Sequence, residues 1–267
     1  MKRKISITVE DSILKGIDAV VDNVYIRNRS QAIEFLAKNA LGENKQAVIL
    51  AGGPEERLRI SSTEYRITAR IKNSTVVEKA VKKLRENGFK DIHIIARHNV
   101  LTRVFDILKD GSGYNVKVSY IEEKESNGSG DSLRLLKGKI KASFLVVYGH
   151  IIFDKVNIQE LWNQHIKQGT AVATLMLTTA PNPSEKGTVK VEGNRILQFI
   201  QKPKKTDVYL VFSPILVATP EIFNITGGSL EYDIFPTLAE QGLLYGHTSA
   251  EKEQHVHTAA DAKKATT

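Results

Sequence analysis

Residues 4 to 9 read Lys-Ile-Ser-Ile-Thr-Val, an alternation that reads as a single strand with Ile5, Ile7 and Val9 on one face and Lys4, Ser6 and Thr8 on the other. Two amphipathic helices are expected directly after it. The first runs from about Asp11 to Asn23, with Ile13, Leu14, Ile17, Val20 and Val21 in one stripe and Glu10 and Asp11 at its positive end. The second follows the link 24–29, opens at Ser30 as N-cap, carries Ala32, Ile33, Leu36, Ala37 and Ala40, and closes at Gly42. A lone strand cannot satisfy its own ladder hydrogen bonds, and about 45 residues bury too little surface to fold well alone. A twofold homodimer that pairs the strands antiparallel and interlocks the helices resolves both problems.

The rest of the chain has a different rhythm. After a polar linker, GENKQ, Ala47 to Ala51 form a buried-strand run that ends in Gly52 and Gly53, as where a strand meets a phosphate loop. Helical and strand patterns then alternate: 75–87 helical, 91–96 strand, 101–110 helical, 116–120 strand, 132–136 helical, 144–148 strand, 159–168 helical and 171–177 strand. The runs 187–191 and 196–200 flank a turn at 192–194 and read as a hairpin. The fold class expected is α/β: a small module over 1–46, then an α/β/α domain over 47–267 with a mainly parallel mixed sheet.

With 267 residues and 41% hydrophobic content the chain can hold one full-sized core and one small attachment. It has no cysteine, which excludes disulfides, thiolate metal sites and a cysteine nucleophile, and suits a reducing cytoplasm. The start MKRKISITVE is basic like a signal peptide but lacks a continuous apolar stretch, and no run approaches the roughly 20 apolar residues of a membrane span. A cytoplasmic protein with no membrane partner is expected. The net charge of +8 suits nucleic acid or anionic metabolites without selecting either.

Through KRKISITV and YIRNRSQAIEFL, residues 1–46 resemble the ribbon-helix-helix family of the MetJ, Arc and CopG type. The resemblance implies double-stranded DNA as partner, with Lys4, Ser6 and Thr8 facing base edges in the major groove. Arg29 and the backbone N–H groups after Ser30 would lie against phosphate, with Lys2, Arg3 and Arg27 adding sequence-independent attraction. The alternative is an edge strand with a solvated face and an ordinary cap, and some such modules serve dimerisation only.

Residues 47–264 resemble, in order, the sugar-phosphate nucleotidyltransferases, a Rossmann-like fold. The shared pieces are AVILAGG, VVEKAVKKLRENGFKDIHII, NGSGDSLRLLKG, FLVVYGH, EKGTVKVEGNRILQFIQKP, ATPEIF, SLEYDIFPTLAEQGLLYG and TAADAKKA. The resemblance implies attack of a sugar phosphate on the α-phosphorus of a nucleoside triphosphate, with a Gly-rich cradle, a cation against phosphate and carboxylate-held Mg²⁺. The nucleotide- or ligand-binding residues it points to are Ala51, Gly52, Gly53, Arg57, Arg66, Gly128, Ser129 and Gly130, with Gly187 and Lys202 on the sugar side.

The same resemblance marks departures. The loop pattern GGxGxR is here Gly52-Gly53-Pro54-Glu55-Glu56-Arg57, and the two added carboxylates are expected to repel a triphosphate. Arg66 stands nearest the phosphate-contacting Lys, Gln201 replaces a Glu, and Phe212-Ser213-Pro214 stands for Asn-Ala-Gly. Both metal carboxylates correspond to histidines, His150 and His255. Imidazole suits transition metals better than Mg²⁺, so the pair reads either as a repurposed metal site, extended by His257, or as neutral polar residues filling a lost one. No cofactor follows with certainty, and Mg²⁺ only if the domain is active. The leading expectation is a DNA-binding transcriptional regulator whose inactive domain senses a nucleotide, nucleotide-sugar or sugar phosphate. The alternatives are an active sugar-1-phosphate nucleotidyltransferase with an altered metal site and an N-terminal dimerisation or DNA-binding module, and a scaffold with an empty pocket.

Overall fold

The apolar run around Ala47–Ala51 becomes a central strand of the main sheet, and it starts earlier than its hydrophobicity suggests. In the computed structural model, which describes residues 4–23, 26–41, 45–62, 64–125 and 127–265, strand β1 spans Lys45–Leu50. Lys45 and Gln46, expected in the linker, already belong to it. Lys45 is only 4% exposed: its ammonium lies 5.2 and 5.1 Å from the Phe89 and Trp162 ring centres and donates to Gln159 Oε1 at 2.6 Å. Contacts divide the chain into two units, 1–43 and 44–267.

Eight further strands complete the sheet of the larger unit: β2 (Phe89–Ala96), β3 (Lys117–Glu122), β4 (Phe144–Tyr148), β5 (Ala173–Thr179), β6 (Gly187–Glu192), β7 (Arg195–Gln201), β8 (Leu210–Ala218) and β9 (Leu244–Thr248). Their order is β3-β2-β1-β4-β8-β5-β9-β7-β6. The first four run parallel, and β8 is antiparallel to both of its neighbours, β4 and β5. The expected hairpin is β6 and β7, turning at Gly193 with φ of 58°. Strand β8 has no counterpart among the sequence expectations, because Pro214 interrupts its pattern. The proline sits where the pairing with β5 slips between Ser213 and Leu216, the kind of irregularity that tolerates a missing N–H.

Helices cover both faces of this sheet, which separates two hydrophobic clusters, one holding Phe89, Trp162 and Val104, the other Phe144, Phe235 and Leu238. The helix Val76–Glu86 begins with a reciprocal cap between Thr75 and Glu78, so the sequence itself dictates its start. A two-residue ladder, Ile151–Ile152 against Gln254–His255, ties the end of β4 to the C-terminal segment.

In the smaller unit, α1 (Asp11–Val20) and α2 (Arg29–Leu41) pack around Ile17 and Ala32, both buried. Helix α1 stops short of Asn23 because Asp22 turns the chain, accepting from the Ile26 N–H through its side chain and donating to the Ile26 carbonyl from its backbone. Ser30 is not the cap of α2. Asn28 is: its side chain accepts from the Gln31 N–H at 3.0 Å, while Gln31 accepts from the Arg27 N–H. Residues 4–10 carry no ladder within the described chain, and Ile5 and Ile7 are 75% and 52% exposed.

Candidate active site

Strand β1 ends at Leu50, and the chain turns through Ala51-Gly52-Gly53-Pro54 into the short helix Glu55–Leu58. This turn edges a cavity of about 450 Å³, within the usual range for a small-ligand site. The sequence-predicted Ala51, Gly52, Gly53, Arg57, Arg66, Gly128 and Ser129 all line it, and His150 stands at the same wall. Arg66 lines the cavity, its Nε is buried with no partner among the described residues, and burial lowers its pKa. A buried guanidinium nitrogen without an acceptor is costly, which sets Arg66 apart from the paired arginines around it.

Gly130, Gly187 and Lys202 do not line the cavity. Gly130 is small for packing: a Cβ there would lie 2.9 Å from the Gly228 carbonyl and 2.8 Å from Ile234 Cδ1. At Gly187 a Cβ would meet the Phe199 ring at 2.4 Å. Lys202 is exposed at the end of β7, its backbone N–H donating to the Lys186 carbonyl.

Two carboxylates organise the loop. Glu123, one residue beyond β3 and almost fully buried, accepts from the Gly53 N–H at 2.7 Å and from the Ser132 hydroxyl, with Arg97 at 3.7 Å. The Gly53 amide is therefore held by the protein, which shapes the loop. Glu55 is drawn out of the cavity lining by Tyr65, Asn99 and Arg59, which donate to it and hold its pKa below the ordinary carboxylate value. Glu56 is exposed and also off the lining, so neither added carboxylate lines the cavity.

Opposite the loop, Tyr148 and Ser129 both donate to Glu231, and the Leu230 N–H donates to Ser129. Burial first, then Glu231, raises the Tyr148 pKa well above its ordinary value and keeps the phenol protonated. Glu231 belongs to Leu230–Ile234, a π-helical turn capped by Ser229.

The histidines converge. One ligand nitrogen from each of His150, His255 and His257 lies within 4.8 Å of the others, and the rings are 4.9 to 5.4 Å apart. The short ladder brings them together, with the Val256 N–H donating to the His150 carbonyl at 2.8 Å. Burial, then the neighbouring His255, His257 and Arg66, push the His150 pKa down to about 3. Burial and then Arg66 lower that of His257. Glu253 meets His255 Nε2 at 2.8 Å and accepts from the Ser213 hydroxyl at 2.6 Å; burial opposes its ionisation, but these hydrogen bonds prevail and hold it at about 2. Sequence reading missed Glu253, although Glu253, His255 and His257 alternate as one face of an extended segment.

Residues 46–245 match the family model described as nucleotidyl transferase. The chain belongs to that family. Relatives of this nucleotidyl transferase include a protein of Sulfolobus acidocaldarius provisionally named a mannose-1-phosphate guanyltransferase, 30% identical over 72% of this chain and 54% of its own. A mannose-1-phosphate guanyltransferase of Aspergillus oryzae is 28% identical over 75% of this chain and 57% of its own. The chain spans little more than half the length of these two relatives. In fold it is similar to a Bacillus anthracis protein, provisionally a glucose-1-phosphate thymidylyltransferase and solved with sucrose, with TM-score 0.75 and 20% identity over 83% of this chain and 94% of that one.

These relatives overturn the leading expectation of a DNA-binding transcriptional regulator with an inactive sensor domain, since the proteins this nucleotidyl transferase is similar to are named for sugar-phosphate chemistry. The smaller unit corrects details of that expectation too. Arg29, expected on phosphate, forms a two-pronged ion pair with Asp18 at 2.6 and 2.8 Å, and Ser30 lies inside α2. Lys2 and Arg3 lie outside the described residues. No helix among the described residues is long and apolar enough to cross a membrane.

Proposed function

We propose that the larger unit, residues 44–267, is an active nucleotidyltransferase that joins a nucleoside triphosphate to a sugar 1-phosphate. In this reaction a sugar-phosphate oxygen attacks the α-phosphorus, the bond to the β-phosphate oxygen breaks, and pyrophosphate leaves. The observation that carries the reading is the convergence of the Gly52-Gly53 loop, Arg57, Arg66 and Ser129 on one cavity from which Glu55 is turned away. Arg57 and Arg66 would neutralise the phosphates, and the half-buried Tyr148–Glu231–Ser129 network would hold the opposite wall. The sugar-phosphate names of the relatives support this substrate class.

The test is pyrophosphate release from a panel of nucleoside triphosphates and sugar 1-phosphates. Release by the wild type, with kcat/KM lowered roughly 100-fold in Arg66→Ala, is the expected result. No release across the panel by a folded chain supplied with divalent cations sinks the reading.

For the smaller unit, residues 1–43, we propose a ribbon-helix-helix arrangement that serves self-association. Ile5, Ile7 and Val9 are exposed in the single chain and lie on one face of an unpartnered alternating segment, as a strand awaiting a second copy would be.

A further inference from the structure

A Mg²⁺ ion takes hard oxygen ligands in near-octahedral geometry and keeps several waters. The position where the family resemblance places its metal carboxylates offers three imidazoles, and both Glu253 oxygens are engaged by His255 and Ser213. The donor set does not fit Mg²⁺. We propose that His150, His255 and His257 together bind one transition-metal cation of the zinc class.

Three observations carry this. The first is proximity: tetrahedral coordination at about 2.0–2.1 Å sets nitrogens roughly 3.4 Å apart, so a cluster already within 4.8 Å closes by side-chain adjustment. The second is orientation. Glu253 Oε1 sits 2.8 Å from His255 Nε2, a contact that occupies this nitrogen and leaves Nδ1 as the ring's position for a metal. Ser213 in turn fixes Glu253, so the orienting carboxylate is itself oriented. The third is stoichiometry: three protein ligands leave the fourth tetrahedral position open, as in catalytic rather than structural zinc sites. Arg66 at the neighbouring wall would repel a cation but attract an anion bridging the two, which suits a site for phosphate.

The assignment rests on the transfer reading for its purpose, but its test needs no substrate. Full-length, metal-free protein without a histidine tag is titrated with Co²⁺, followed by visible absorption, and with Zn²⁺ by calorimetry. One equivalent of Co²⁺ with the intense bands of tetrahedral coordination is expected, displaced by Zn²⁺ and not by a large excess of Mg²⁺. His257→Ala, at an exposed position, and Glu253→Gln should each weaken binding at least about tenfold with an unchanged circular dichroism spectrum. No one-equivalent binding by the folded chain, ready displacement by Mg²⁺, or binding indifferent to His257→Ala and His150→Ala overturns the proposal. A chain that binds Zn²⁺ but releases no pyrophosphate sinks the transfer reading alone; one that turns over with Mg²⁺ and binds no Zn²⁺ sinks the metal site alone.

Discussion

Glu123 and Glu253 stand outside every motif legible in the chain, yet each disposes groups that are. Their side chains are buried, and a buried carboxylate persists only where donors converge on it: Gly53, Ser132 and Arg97 for the first, Ser213 and His255 for the second. Most of those donors come from segments far apart in sequence, which is why the reading of local patterns passed over both. His165 shows the same physics with a basic group. It is buried with Nδ1 2.9 Å from the Thr174 hydroxyl, and burial pushes its pKa down to about 4. The unfolded chain, near the ordinary value of 6.5, then binds the proton more tightly than the folded one. Its contribution is complete above that value and is lost as pH falls from there toward 4, by up to about 3 kcal/mol. Urea unfolding across this range should show a shallower pH slope in His165→Gln than in the wild type; equal slopes would place the proton elsewhere.

At the scale of elements, periodicity located most helices and strands to within a few residues, because amphipathic stripes and apolar runs report burial directly. It failed where another element supplies the reason. Strand β8 is held by neighbours on both sides despite Pro214, and α2 starts at an Asn28 cap in place of the expected Ser30. The NGSGDS segment was legible as special, but half of its glycine content serves contact rather than ligand: Gly130 lets the helix Ser129–Arg134 lie against the Gly227-Gly228 backbone. Gly130→Ala is expected to cost about 1–3 kcal/mol, since the added methyl must push apart two backbone segments. Chemical denaturation checks this, and an unchanged midpoint would show that the contact gives way freely.

For the whole molecule, the smaller unit exposes an alternating apolar face that a single chain leaves uncovered. If two copies cover it, Ile7→Lys should convert a dimer to a monomer in sedimentation at micromolar concentration while leaving the family domain's far-ultraviolet signature intact. A dimer that survives the charge would place self-association elsewhere on the chain. The tests of activity and of cation binding are separable from this outcome, since pyrophosphate release and Co²⁺ binding would report on 44–267.

What the sequence determined by itself is the class of fold and the loop: alternating helix and strand patterns demand a sheet covered on both faces, and an apolar strand running into paired glycines marks where a phosphate can approach backbone. Tertiary structure alone decided the electrostatics of the site. The two added glutamates were legible in the chain, but not that Tyr65, Asn99 and Arg59 hold Glu55 off the cavity lining; the three histidines were legible too, but not that they converge beside a buried Glu253. Charge and coordination fall off over a few ångströms, and residues about 100 apart in the chain reach that range only when the sheet has brought its ends together.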